Sequence, residues 1–271
     1  SALTAYTPGE QPKDQKYVKL NTNESPFPPP ESVVRAATEE AGRLQLYSDP
    51  TCAALTEKAC ALLGIEKDEI IFANGSDDAL NFAFMAFSDS ENPIVFPDLT
   101  YGFYPVFAAR NHVPFEIVPL KDDFTIDVGD YCGIGKTIFI ANPNAPTGIA
   151  LTLSQIEEIV KSNPDNVVII DEAYVDFGGE SCVPLVTKYD NLLVTGTFSK
   201  SRAMAGARLG FGFACPALIR DLETLRYSTN PYNINRLTLL LGAATVDAES
   251  YYREKCAQIM QTRTWTKEQL E

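Results

Sequence analysis

The chain has 271 residues, 45% hydrophobic and 21% charged, enough for a sizeable core in one large domain or two unequal ones. Its net charge of −14 and pI near 4.6 argue against nucleic-acid binding, which needs a basic face. No run approaches the ~18 apolar residues of a membrane-spanning helix, no secretory leader is visible, and six scattered cysteines without a C-x-x-C pattern suit a reduced, cytoplasmic setting.

Residues 26–30, PFPPP, form a stiff entry to a helix expected over about 31–43. Short β-branched runs then alternate with helix-patterned ones. EIIFAN (69–74) reads as a strand ahead of SDDALNFAFMAFS (76–88), whose apolar spacing suits a helix with one buried face. PIVF (93–96) precedes YGFYPVFAAR (101–110), and TIFIAN (137–142) precedes LSQIEEIVKSN (153–163). NVVIID (166–171) and NLLVTGT (191–197) look like strands covered on both faces. RLGFGFA (208–214) adds a further apolar strand, and the chain is then mainly helical to Glu271. Such βα alternation predicts an α/β fold with a largely parallel sheet between helices. Ligands of these folds sit beyond the carboxyl ends of the strands.

Two glycine-rich stretches carry no nucleotide motif. GDYCGIGKT (129–137) has one residue too many for a phosphate-binding loop and leads into a strand, and GFGFAC (210–215) lacks the third glycine of a dinucleotide fingerprint. His112 is the only histidine and reads as an ordinary surface or core residue, so no metal site is expected.

Four polar motifs fall where expected strands end. In NGSDD (74–78), Gly75 permits a tight turn and the N–H groups of Ser76 and Asp77 can face an anion, although Ser76 also suits a plain helix N-cap. In NPNAPTG (142–148) two prolines and a glycine set a loop in which Asn142 and Asn144 are placed to face inward. In DEAYVDF (171–177), Asp171 ends a buried strand and needs a cation or donors, whereas Glu172 and Asp176 read as solvated. In TFSKSRAMAGARLG (197–210), Thr197, Ser199 and Arg208 can cradle a phosphate around Lys200, an amine poised for imine formation.

The order G-S-D, N-x-P-T-G, D-E-A-Y, T-x-S-K and R-x-G resembles that of fold-type I pyridoxal-phosphate (PLP) aminotransferases over almost the whole chain. AYTPGE (5–10), LNTNESPF (20–27), YSDP (47–50), FPDLTYGFYPVFA (96–108) and NPYNIN (230–235) are most similar to the histidinol-phosphate aminotransferase family. The resemblance implies an aspartate-aminotransferase-like fold, PLP as cofactor, and transamination of histidinol phosphate with the 2-oxoglutarate/glutamate couple in histidine biosynthesis. It implies that Lys200 carries the cofactor and moves the proton, that Asp171 pairs with the pyridine nitrogen, and that Tyr174 meets the phenolic oxygen. Tyr101 would stack on the ring, while Ser76, Asp77, Thr197, Ser199 and Arg208 would hold the phosphate. Tyr47 would cross to the neighbouring subunit's phosphate, which implies a homodimer with shared sites. Tyr6, Asn23 and Tyr232 match segments that face the anionic amino substrate and the 2-oxo acid.

Two departures stand out. Ala145 occupies a position where the family has an asparagine that donates to the phenolic oxygen. The family also continues into a C-terminal sheet bearing a substrate-gripping arginine, whereas this chain ends at WTKEQLE (265–271). The expected division is therefore an N-terminal segment over 1–45, a large PLP-binding domain over 46–245, and the incomplete start of a small domain over 246–271. Another class I/II aminotransferase, a threonine-phosphate decarboxylase-like enzyme, and a PLP-binding protein without turnover are the alternatives.

Overall fold

The computed structural model describes residues 9–271. Seven strands form one sheet: β1 (Ile70–Ala73), β2 (Ile94–Pro97), β3 (Phe115–Val118), β4 (Thr137–Ala141), β5 (Val168–Asp171), β6 (Leu192–Thr197) and β7 (Gly210–Phe213). They lie in the order β1-β7-β6-β5-β4-β2-β3. The pairs from β3 across to β6 are parallel, and β7 runs antiparallel to both β6 and β1.

Alternation along the central strands sorts their side chains into two cores. Ile138 and Ile140, Val168 and Ile170, and Leu192 and Val194 enter one core; Phe139, Ile169 and Leu193 enter the other. The first is closed by α2 (Ala53–Leu63), α5 (Leu153–Ser162), the short α6 (Val183–Val186) and α8 (Arg236–Asp247), the second by α3 (Ser76–Phe87), α4 (Tyr104–Arg110) and α7 (Pro216–Thr229). These strands are buried at every position, which explains why apolar residues run consecutively along them rather than at every second place.

The expected strands and helices form within one to three residues of their sequence limits. Helix α1 (Glu31–Glu40) continues as a 3-10 turn to Arg43 and packs on α8. The long α9 (Glu249–Leu270) ends the chain. Edge strand β3 and helix α2 were not foreseen. Among the described residues no helix is long and apolar enough to cross a membrane. All six cysteines are free, four of them buried.

Two arginines fix the segment between α1 and α2. Arg236 Nη1 donates to the Tyr47 carbonyl at 3.0 Å and its Nε pairs with buried Glu40. Arg226, only 2% exposed, donates from Nη2 to the Pro50 carbonyl at 2.8 Å and to Glu223 at 2.6 Å.

Candidate active site

Loops leaving the carboxyl ends of β1, β2, β4, β5 and β6 converge on one cavity of about 230 Å³. Its lining includes Ser76, Asp77, Tyr101, Asp171, Tyr174, Thr197, Ser199, Lys200 and Arg208, together with Ala145. Four motifs spread over more than a hundred residues of chain thus meet at one place.

Asp171 is 4% exposed and closes β5, opposite Thr195 of β6. Its contacts are long: Tyr104 Oη donates at 3.4 Å, Thr195 Oγ1 at 3.5 Å and the Ala173 N–H at 3.3 Å. Burial, then the charge on Asp77, push its carboxyl up to about 7 against the weak pull of these donors. No cation within the described chain balances it. A cationic ring nitrogen would complete this floor, since a buried carboxylate is costly until it gains a positive partner.

The opposite end suits an anion. Gly75, at φ 83, turns the chain into α3 as its N-cap, so Ser76 sits one position inside the helix rather than capping it. Close approach makes this cradle: a Cβ on Gly210 would collide with the backbone of Gly75 and Ser76, and one on Gly75 would strike the Arg208 guanidinium. Arg208 takes a left-handed φ of 57 and reaches Asp77 Oδ2 at 3.5 Å. Thr197 and Ser199 are buried and joined hydroxyl to hydroxyl at 3.0 Å. Helix N-terminal N–H groups, two hydroxyls and a guanidinium fit a phosphate. A group cationic at one end and phosphorylated at the other matches both halves of the cavity.

Tyr101 Oη donates to Asp77 Oδ1 at 2.7 Å, and burial with that neighbouring carboxylate holds its phenol far above the usual range. Lys200 Nζ donates to the Thr22 carbonyl at 3.0 Å and lies 5.8 Å from the centre of the Tyr174 ring. Tyr174 Oη accepts from Asn23 Nδ2 at 2.9 Å. The segment before α1 also lends Thr22 and Glu24 to the cavity wall.

Several expectations need correction or relocation. Asn142 and Asn144 do not face the cavity: Asn142 exchanges bonds with the Leu151 backbone, and Asn144 donates to the Leu99 carbonyl and accepts from Thr100. Both amides brace the loop, leaving Pro143 and Ala145 at the wall. Glu172 is not solvated. It is 6% exposed, accepts from Ser181 Oγ at 2.7 Å and from the Cys182 N–H, and burial raises its carboxyl to about 7. Asp176 is exposed but paired, with Ser201 and with Arg202 at 3.7 Å. Tyr47 and Tyr232 stand outside the cavity, stacked with ring centres 4.6 Å apart and exposed by 79% and 42%. Tyr6 lies outside the described residues.

Tyr104 and Thr195 were missed in the sequence. Thr195 had a signal, a polar residue on an otherwise apolar buried strand; Tyr104 had none that separates it from the aromatic residues around it. Asn233 was also passed over. Its Nδ2 donates to Asp78 at 2.8 Å and its carbonyl accepts from Asn74 at 3.1 Å, tying the NPYNIN loop to the start of α3.

Residues 15–271 match the family model of class I and II aminotransferases. A histidinol-phosphate aminotransferase of Brachyspira hyodysenteriae is 48% identical over 98% of this chain and 76% of its own length. One from Dechloromonas aromatica is 47% identical over 96% of this chain and 75% of its own. The crystal structure of histidinol-phosphate aminotransferase from Sinorhizobium meliloti, in complex with pyridoxal 5'-phosphate, superposes with a TM-score of 0.82 at 23% identity, covering 90% of this chain and 67% of that one. The fold is that of the aspartate aminotransferases, as the motif order implied, and the chain belongs to the class I and II aminotransferases, enzymes that use pyridoxal 5'-phosphate.

Proposed function

We propose that the chain transaminates histidinol phosphate, with 2-oxoglutarate and glutamate as the second couple, in histidine biosynthesis. The observation that carries the reading is the cavity itself, whose lining joins buried Asp171, in no salt bridge among the described residues, with Lys200 and a phosphate-suited cradle. The relatives named for this reaction at 47–48% identity support the substrate.

When bound, PLP supplies an aldehyde that condenses with amines and a ring that takes up the electron pair left at the substrate Cα. The residues of this chain do the rest. Asp171 would pair, ionised, with the ring nitrogen and hold the proton there. The backbone N–H groups of Ser76 and Asp77, the hydroxyls of Thr197 and Ser199 and the Arg208 guanidinium would anchor the phosphate. Tyr101 would flank the ring, and Tyr174 would donate to the phenolic oxygen. Lys200 would hold the cofactor through Nζ and, as a free amine, would carry a proton to and from the substrate Cα. Asn23, bonded to Tyr174, borders the substrate side of the cavity. The large domain over 46–245 carries this machinery, and 246–271 begins the small domain. Tyr47, exposed and outside its own cavity, reaches a second copy's phosphate, so the working form is a cytoplasmic homodimer.

Borohydride reduction of the PLP-loaded protein, followed by peptide mapping, is expected to place a pyridoxyl group on Lys200. A label on another lysine overturns the assignment. Half-reactions with histidinol phosphate, glutamate, aromatic amino acids and threonine phosphate, followed in the visible spectrum, test the substrate. Preference for an aromatic amino acid, or release of carbon dioxide from threonine phosphate, rejects histidinol phosphate.

A further inference from the structure

Thr22 and Asn23 are consecutive residues in the left-handed region, at φ 62 and 52, a conformation that L-residues other than glycine and asparagine seldom hold. The turn they make serves both reactive side chains at once. The Thr22 carbonyl receives Lys200 Nζ at 3.0 Å, and Asn23 Nδ2 donates to Tyr174 Oη at 2.9 Å. A phenol has one proton and two acceptor lone pairs. With Asn23 filling a lone pair, the proton of Tyr174 is left to be donated elsewhere, and Tyr174 lines the cavity. Accepting a hydrogen bond also polarises a hydroxyl and makes it a better donor. On the same wall the loop after β4 presents Pro143 and Ala145, neither of which has a side-chain donor.

We propose that Asn23 is a positioning residue for Tyr174: its amide holds the phenol oxygen and turns the phenol proton into the cavity, at the wall where Ala145 supplies no donor. The proposal rests on the reading that the cavity holds PLP with its phenolic oxygen beside Tyr174. It makes the segment ahead of α1 part of the apparatus that sets the cofactor's acidity. The ionisable groups around this contact are Lys200 over the Tyr174 ring and Asp171, Asp77, Tyr101, Glu24 and Arg208 along the cavity.

The test is the pH midpoint of the visible absorbance change of the PLP-loaded protein, which reports the acidity of the proton shared by the cofactor's phenolic oxygen and the imine nitrogen. Asn23 is exposed, and Asn23→Gly keeps the left-handed turn without strain. Tyr174→Phe is expected to raise the midpoint by about 0.4–1 pH unit, the equivalent of one neutral hydrogen bond. Asn23→Gly should raise it by less. Asn23→Asp, whose carboxylate accepts the phenol proton and withdraws it from the cavity, should raise it about as far as Tyr174→Phe. Neither Asn23 change should move the midpoint further in the Tyr174→Phe background. If Tyr174→Phe shifts the titration and both Asn23 variants titrate like the parent, the positioning role is overturned and the reading of the cavity stands. An Asp shift that persists without the phenol is a bare charge effect and overturns the role equally. If Tyr174→Phe itself changes nothing, the placement of the phenolic oxygen beside Tyr174 falls, and the proposal with it.

Discussion

Burial and the neighbouring Asp77 charge push the Asp171 carboxyl up to about 7 in the folded chain, against about 3.9 for an aspartate in an unfolded one. Folding therefore takes up a proton between those values. Stability of the cofactor-free protein falls as pH rises across that window and levels off above it. Asp171→Asn removes the titrating group. It should raise the melting temperature of the cofactor-free protein by several degrees at pH 8 and leave it nearly unchanged at pH 4, read by circular dichroism. The same variant should bind PLP yet turn over very little, because the ring nitrogen loses its anionic partner. Arg208→Ala should separate from it cleanly, weakening PLP affinity by ~10- to 150-fold in a spectroscopic titration, as expected for one charge-assisted hydrogen bond. At this scale the sequence shows residue type and spacing, and little of orientation. The meeting of Lys200, Asp171, Ser76, Asp77, Thr197, Ser199 and Arg208 at one cavity was legible because a rare order of motifs marks them. The bracing roles of Asn142 and Asn144 were not, since an amide spent on a loop backbone and one aimed at a ligand look alike in sequence.

Among the elements, the parallel strands carry the site and bear the load. Ile140 of β4 is fully buried, and Ile140→Ala should cost ~2–5 kcal/mol in denaturant unfolding. Ile117 on edge strand β3 is 54% exposed, and Ile117→Ala there should stay within ~0.5 kcal/mol. Continuous apolar runs made β4, β5 and β6 readable. Strand β3 was not, because a four-residue run with three exposed members carries neither alternation nor a buried core signature. Strand β7 was readable as a strand but not in its direction, which depends on its partners and not on its composition. Its glycine matters more than its apolar residues: Gly210→Ala should push β7 off the start of α3 and reduce PLP affinity more than it reduces the melting temperature of the cofactor-free protein.

For the molecule as a whole, the shared-site reading makes a prediction that a single chain cannot satisfy. Sedimentation at micromolar concentration should give twice the chain mass. Lys200→Ala and Tyr47→Ala should each impair the enzyme, yet co-refolded mixtures should recover about one quarter of wild-type activity, because half of randomly paired dimers carry one intact site. A stable monomer with full PLP affinity, or a mixture no better than its parts, rules out the exchange of Tyr47.

The clamp on the segment that carries Tyr47 bears on how such an assembly forms. Arg236 and Arg226 hold the carbonyls of Tyr47 and Pro50, and Tyr232 stacks on the Tyr47 ring, all within one chain. The conformational entropy of this segment is therefore lost during folding, not at the encounter of two protomers. Docking becomes the meeting of surfaces already in shape, so association should show no slow ordering phase, and exchange of the Leu46 and Cys52 amides, bonded within one chain to the Arg43 and Asp49 carbonyls, should be as slow in a diluted protomer as in the pair.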